Sequence, residues 1–113
     1  MTRFAIFFRL TGQTVSRFID QPTDRAAAVR ALLEPVGGKL ISYDFMFGED
    51  DGMVVFEVPD SETAAVVSLA VSSTGAFASI RTHELIPAER LTGVLARAST
   101  ARQSYRPPGA ASG

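Results

Sequence analysis

The feature that most constrains the fold is a pair of apolar runs separated by a short turn-forming segment. The runs are residues 39–47 and 53–58, which are rich in Phe, Ile and Val and partly alternate with polar residues. Between them lies segment 48–52, with glycine at both ends and three acids in the middle. Such a connection is typical of neighbouring antiparallel strands. The sequence therefore predicts a β-hairpin in the middle of the chain.

Strand and helix signals also precede this hairpin. Residues 3–10 carry bulky apolar groups on both alternating faces, which is typical of a central strand. Pro22 and Thr23 open an amphipathic helix, with Asp20 or Thr23 as its cap. Gly37 ends this helix because glycine readily takes the left-handed conformation.

The segment after the hairpin predicts a second helix and a fourth strand. Asp60 or Ser61 caps this helix, and Gly75 ends it. Residues 77–86 follow as a strand, and Pro87 begins a last helix.

Apart from an extra turn of helix at 14–20, the predicted order is β-α-β-β-α-β with an appended helix. Two βαβ units with right-handed crossovers give a ferredoxin-like α+β fold, an antiparallel sheet with both main helices on one face. A chain of 113 residues fits one hydrophobic core, so we expect a single domain over residues 1–99. Residues 100–113 lack periodicity and are predicted to form a disordered tail.

The two faces of the predicted sheet differ in polarity, because alternate residues of a strand point to opposite sides. The more apolar set is expected to face the helices and pack against them. It consists of Phe4, Ile6, Phe8, Ile41, Phe45, Phe47, Val54, Phe56, Val58, Ala78, Ile80 and Thr82. The other face mixes apolar and titratable groups, namely Ala5, Phe7, Arg9, Leu40, Ser42, Asp44, Met46, Met53, Val55, Glu57, Phe77, Ser79, Arg81 and His83. Exposed apolar patches above roughly 300–600 Å² are rare on monomers. We therefore expect a homodimer formed through the sheet face opposite the helices.

Several short segments of the sequence resemble the GYD domain family. They are Gly37-Gly38-Lys39-Leu40, Phe47-Gly48-Glu49-Asp50-Asp51, Glu57-Val58-Pro59-Asp60 and Arg81-Thr82. The resemblance covers residues 2–96, and it implies a small bacterial protein of the dimeric α/β-barrel, ferredoxin-like group without an established activity. The naming motif of the family places a tyrosine where this chain has Asp50, whereas Gly48 and Asp51 match.

Composition excludes several classes of site and partner. The absence of cysteine excludes disulfides, thiolate metal sites and a cysteine nucleophile, and the single histidine excludes a site with several imidazoles in one chain. A net charge of -1 provides no basic field for nucleic acid. The apolar run 4–8 is too short to span a membrane. We predict no cofactor, no nucleic-acid partner, no membrane contact and a cytoplasmic location.

The candidate site lies on the mixed face. His83 could act as a general acid or base there, oriented by the carboxylate of Glu57. An arginine could hold a carboxylate or enolate oxygen of a small ligand, and apolar neighbours would exclude water. The catalytic candidates are His83 and Glu57, and the ligand-binding candidates are Arg9, Asp44, Arg81, Phe7 and Met53.

These residues leave three classes of function open. The first is a non-catalytic dimeric binding or interaction module with a small-ligand pocket between the sheets. The second is a cofactor-independent barrel enzyme, resembling a monooxygenase, isomerase or dehydratase, which acts on a small aromatic or carbonyl substrate through His83. The third is a metal or haem role for His83. The competing interpretation is that the charges form salt bridges and that the acidic turn is simply solvated. The sequence favours the first class because it contains no recognisable catalytic motif.

Overall fold

In the computed structural model, which describes residues 1–110, four strands form one open antiparallel sheet. They are β1 (Thr2–Leu10), β2 (Lys39–Phe45), β3 (Gly52–Val58) and β4 (Phe77–Leu85). Their order across the sheet is β2-β3-β1-β4, with every neighbouring pair antiparallel. This is the ferredoxin-like arrangement, so the predicted α+β fold is confirmed.

The helices follow the predicted order. Within residues 1–110 they are α1 (Gly12–Asp20), α2 (Arg25–Leu33), α3 (Ser61–Ser72) and α4 (Leu91–Arg102). Helix α2 contacts β2, and α3 contacts β3 and β4. No helix in this described part combines the length and hydrophobicity needed to span a bilayer.

Short polar side chains fix the starts of these helices. Thr11 caps α1 and Asp60 caps α3, where its carboxylate accepts a hydrogen bond of 2.8 Å from the backbone N–H of Thr63. Asp24 caps α2, so the predicted cap at Asp20 or Thr23 is wrong. After a 3-10 turn, Gly37 takes the left-handed conformation with φ 73°, which confirms it as the stop signal.

The core lies between the helices and one face of the sheet. Its buried members are Phe4, Ile6, Phe8, Leu33, Val54, Phe56, Val58, Ala64 and Val67. The two central strands β1 and β3 provide six of these nine residues, each at alternate positions. The assignment of faces from alternation is therefore correct for both central strands.

The two edge strands depart from simple alternation, because each contains an irregularity. In β2 the pairing with β3 skips Ile41, which lies between Leu40 and Ser42. In β4 the pairing with β1 skips Ala78, because Ser79 pairs with Arg9 and Phe77 pairs with Leu10. Leu40 and Phe77, predicted on the mixed face, consequently pack against the core. Three residues predicted to face the helices, Ile41, Phe47 and Ala78, are exposed instead. Tyr43, which the predicted sets did not include, packs against the core.

The ring of Phe8 packs closely against Gly52, at the end of the hairpin turn. Strand β3 begins at Gly52, which the sequence had placed in the turn, and β2 ends at Phe45 rather than Phe47. A Cβ atom on Gly52 would overlap the ring carbons of Phe8. Only glycine therefore fits at this position while the Phe8 ring stays in place.

Helix α4 projects from the body of the protein. Every residue of α4 is exposed, and its main packing is against the 3-10 turn Ala88–Arg90. The Cα radius of gyration is 18.6 Å, whereas a compact chain of this length would have about 13 Å. The helix continues three residues past Ser99, into the segment 100–113 predicted as a tail. Residues 111–113 of that segment lie outside the described residues.

Candidate functional site

Four of the predicted site residues lie in one row across the face opposite the helices, here called the open face. Asp44 on β2 pairs with Met53 on β3, which pairs with Phe7 on β1, which pairs with Arg81 on β4. Cβ atoms of directly paired residues are about 4.5–5.5 Å apart and point to the same side of the sheet. The structure therefore brings an acid, a thioether, a phenyl ring and a guanidinium together. We call these four residues the open row.

Arg81 is held at the end of the open row by two neighbours. Its guanidinium carbon lies 5.5 Å from the centroid of the Phe7 ring, and its Nη2 forms an ion pair with Asp50 in the hairpin turn. The side chain of Asp50 is only 15% exposed, against 55% for Arg81. Asp50 is thus a site residue that the sequence interpretation missed, although its replacement of the family tyrosine was a signal.

The acidic turn is less solvated than predicted. Asp51 accepts a hydrogen bond of 2.7 Å from the backbone N–H of Leu10, and its own N–H donates to the carbonyl of Phe8 at 2.8 Å. Of the three acids, Glu49 alone is exposed. The interpretation as a solvated turn therefore holds for Glu49 and is wrong for Asp50 and Asp51.

The two predicted catalytic residues are not brought together. His83 is exposed on β4, with its ring edge-to-face against Phe7 at 5.8 Å between centroids. Glu57 lies on β3 and forms a salt bridge of 3.3 Å with Arg3. Strand β1 separates β3 from β4, so the two backbones are about 10 Å apart. Within one protomer, Glu57 is therefore too far away to orient His83.

Arg9, the remaining ligand-binding candidate, is exposed and pairs with Ser79 of β4, beyond the open row. Among residues 1–110 no group of three or more His, Asp or Glu residues could hold a metal ion.

A large cavity lies on the helix side of the sheet, opposite the open face. It has a volume of about 500 Å³ and is bounded by the sheet and by α1, α2 and α3. Ring edges surround Phe8 in its wall, at centroid distances of 5.9 Å to Tyr43, 6.1 Å to Phe45 and 5.4 Å to Phe77. We call this space the helix-side cavity. Sequence reasoning missed it because its apolar lining residues have the pattern of an ordinary core.

Tyr43 carries a perturbed hydroxyl in the wall of this cavity. Burial raises the pKa of Tyr43 above its ordinary value of 10.0, and the nearby guanidinium of Arg25 partly offsets this rise. The hydroxyl therefore stays protonated through the neutral range and can donate a hydrogen bond to a bound molecule.

The model of the GYD domain family matches residues 4–95 of this chain. The chain belongs to the GYD domain family. The resemblance inferred from the sequence is thereby confirmed, and the function of the family is unclear. A search of curated proteins finds no match. The GYD domain includes the open row and the residues that line the helix-side cavity, and it ends within α4.

Proposed function

We propose that this GYD domain protein is a non-catalytic homodimeric binding module whose subunits associate through the open faces of their sheets. The observation that carries the proposal is the character of that face. Phe7, Met53 and Val55 form a half-buried apolar centre along the two middle strands, on the side of the sheet opposite α2 and α3. Burying such a centre against a second copy removes its apolar surface from water.

Charged groups surround this apolar centre. Arg3 and Glu57 lie at one end of the two middle strands, next to Lys39, and the charged ends of the open row lie on the edge strands. An apolar centre with a polar rim is the usual composition of a protein interface. In a two-fold dimer each patch meets its own copy, so a rim that carries both signs of charge can pair with itself.

Helix α4 gives independent support for a partner. It has twelve residues, and isolated helices of about 12–15 residues or fewer are marginally stable in water. Leu91, Val94 and Leu95 repeat at helical spacing and are exposed. A second copy of the chain would supply a surface on which this apolar stripe packs.

The remaining parts of the proposal depend on the dimer. Two stacked open faces would enclose the open row, and the small-ligand pocket predicted between the sheets stays a prediction about that assembly. The enzymatic alternative is not supported by the geometry of one protomer, because His83 and Glu57 are two strands apart. The expected cytoplasmic location also stays a prediction.

Sedimentation velocity at micromolar concentration tests the dimer directly. We expect the wild-type chain to sediment as a dimer and Val55→Lys to sediment as a monomer with unchanged far-UV circular dichroism. The control is Ile19→Lys, on the exposed surface of α1, which should remain dimeric. A monomeric wild type, or a Val55→Lys variant that stays dimeric, would show that the open face is not the interface.

Native mass spectrometry of the same preparation tests the binding role. A mass increment on the dimer that is lost with Val55→Lys would place a ligand between the sheets. A dimer without an increment, under conditions in which other complexes survive, would contradict the predicted pocket and leave an interaction module.

A further inference from the structure

The polar residues at the margin of the helix-side cavity favour a negatively charged ligand. Its polar margin contains two arginines, Arg17 of α1 and Arg25 of α2, together with Gln21 and Thr23 from the segment that joins these helices. The residues that line the cavity include no Asp or Glu. In a chain with 12 acids and 11 lysines and arginines, this local excess of positive charge is a specific property of the cavity.

We propose that the helix-side cavity binds an apolar carboxylic acid, with its carboxylate at Arg25 and Arg17 and its hydrocarbon part among the aromatic rings. The proposal assigns a ligand site within a single protomer. It is separate from the pocket predicted between the sheets, because the cavity lies on the helix side of the sheet, opposite the open face.

The arginines have unused capacity to bind an anion. Among residues 1–110 the ion pairs are Arg3–Glu57 and Arg81–Asp50, so neither Arg17 nor Arg25 has a carboxylate partner. Arg25 makes a long contact of 3.5 Å with the hydroxyl of Thr23 and lies beside the hydroxyl of Tyr43, and neither neighbour is an anion. A guanidinium presents two parallel N–H donors that match the two oxygens of a carboxylate. The protonated hydroxyl of Tyr43, close to Arg25, adds a third donor.

The walls of the cavity suit a hydrocarbon. They are formed by aliphatic residues of α2 and α3 and by the rings of Phe8, Phe18, Tyr43, Phe45 and Phe77. Cavities of roughly 300–1,000 Å³ with apolar walls and a few convergent polar groups are typical of small-molecule sites. At about 500 Å³ the helix-side cavity lies within this range. An alkyl chain or a fused aromatic ring system could occupy it as the hydrocarbon part of an apolar carboxylic acid.

Isothermal titration calorimetry with decanoate, 2-naphthoate and decanol tests the proposal. We expect at least one of the two carboxylates to bind with one site per protomer. Decanol, which has the same chain as decanoate without the charge, should bind at least about tenfold more weakly than decanoate if the aliphatic acid is the ligand type. For an aromatic ligand type, 2-naphthoate should bind more tightly than the neutral 2-naphthol by the same factor. The proposal would be overturned if neither carboxylate bound. It would also be overturned if each neutral compound bound as tightly as its matching carboxylate.

Charge variants identify the site. Arg25→Gln and Arg17→Gln should each weaken carboxylate binding by about tenfold, since each removes a charge-assisted hydrogen-bond donor. Arg30→Gln is the matched control, because Arg30 lies on α2 and does not line the cavity, and its affinity should equal that of the wild type. Full affinity in the Arg17→Gln, Arg25→Gln double variant would overturn the assignment of the anion site.

A second pair of variants tests the position of the hydrocarbon part. Ala28 lines the cavity, whereas its neighbour Ala27 is exposed and does not. Ala28→Leu should fill part of the space and abolish binding at ligand concentrations that saturate the wild type, while Ala27→Leu should bind normally. Equal binding by both variants would place the ligand elsewhere. Sedimentation velocity reports on the open face and calorimetry on the cavity, so failure of the proposed dimer and failure of this proposal are distinguishable.

Discussion

The two faces of the sheet use aromatic rings in different ways. On the helix side, Phe8 is the centre of a cluster in which Tyr43, Phe45 and Phe77 approach it edge-to-face. On the open face, Phe7 contacts polar partners instead, with the ring of His83 against it and the guanidinium of Arg81 near its face. Neighbouring residues of one strand thus hold an apolar cluster together on one side and organise titratable groups on the other.

This difference shows that the amount of apolar surface on a sheet does not by itself identify the ligand site. The helix side is the more apolar face, and it contains the helix-side cavity because the helices cover the rings without filling the space above them. The open face is more polar, and two of its charged side chains, those of Glu57 and Arg81, are already in ion pairs. Three comparisons between variants would test this contrast, in order of decreasing effect.

Phe56 and Val55 provide the sharpest test, since they are neighbours on β3 and face opposite sides. Phe56 is 1% exposed and belongs to the core, so Phe56→Ala should lower the free energy of unfolding by about 3–5 kcal/mol. Val55→Ala removes two methyl groups from a half-buried site and should cost the protomer about 1 kcal/mol. Urea denaturation at several protein concentrations measures both effects. The loss at Val55 should vary with concentration if the open face forms the dimer, whereas equal losses at both positions would contradict the contrast between the faces.

Asp51 and Asp50 compare two adjacent carboxylates that serve different contacts. Asp51→Ala removes the acceptor for the Leu10 N–H and should lower the free energy of unfolding by about 1–3 kcal/mol. Asp50→Ala removes an ion pair whose arginine is more than half exposed, and should cost no more than about 1 kcal/mol. Thermal unfolding of both variants, with Glu49→Ala as the solvated control, measures the order. A larger loss for Asp50 than for Asp51 would make the Arg81 pair a structural element.

Tyr43 gives the smallest effect, which appears only at alkaline pH. Its folded-state pKa is raised above 10.0, so its contribution to stability is complete below about pH 10 and is lost as the pH rises through the folded-state pKa. The free energy of unfolding should therefore fall as the pH increases from about 9 upward. Tyr43→Phe should reduce this slope, while Tyr105→Phe, at an exposed position, should leave it unchanged. An identical alkaline slope in the wild type and in Tyr43→Phe would show that the hydroxyl is not responsible.

The topology could be predicted from the sequence because the signals that determine it are local and strong. Alternation along β1 and β3 is uninterrupted. Gly37 ends a helix and Asp60 begins one in the structure, as the sequence predicted. At the edge strands the prediction failed at Ile41 and Ala78, because one extra residue shifts the alternation by one position. Leu40 and Phe77, which precede these irregularities, were therefore assigned to the wrong face, whereas the strand residues that follow them were assigned correctly. A single-residue irregularity leaves no composition signal, so alternation alone could not locate it.

The candidate site was predictable only in part. The open row follows from strand register, and its four members were selected from alternation on the mixed face. The pair of Asp50 and Arg81 joins a turn to a distant strand, and sequence separation concealed it. The helix-side cavity depends on how far the helices stand from the sheet, which periodicity does not encode. Arg17 and Arg25 accordingly looked like ordinary surface residues of their helices.

The contact between Phe8 and Gly52 also determines where this chain can accept inserted sequence. Gly48 has no other group within 4 Å of the position a Cβ would occupy, and Phe47 is fully exposed. At the other end of the turn, Gly52 admits no side chain and Asp51 is bonded to Leu10. A grafted loop or epitope tag would therefore be accommodated beside Phe47, whereas the same insert after Asp51 would displace the Phe8 ring. Among relatives selected only for folding, insertions and deletions would therefore occur near Phe47 and Gly48. The length of the segment at Asp51 and Gly52 would stay constant.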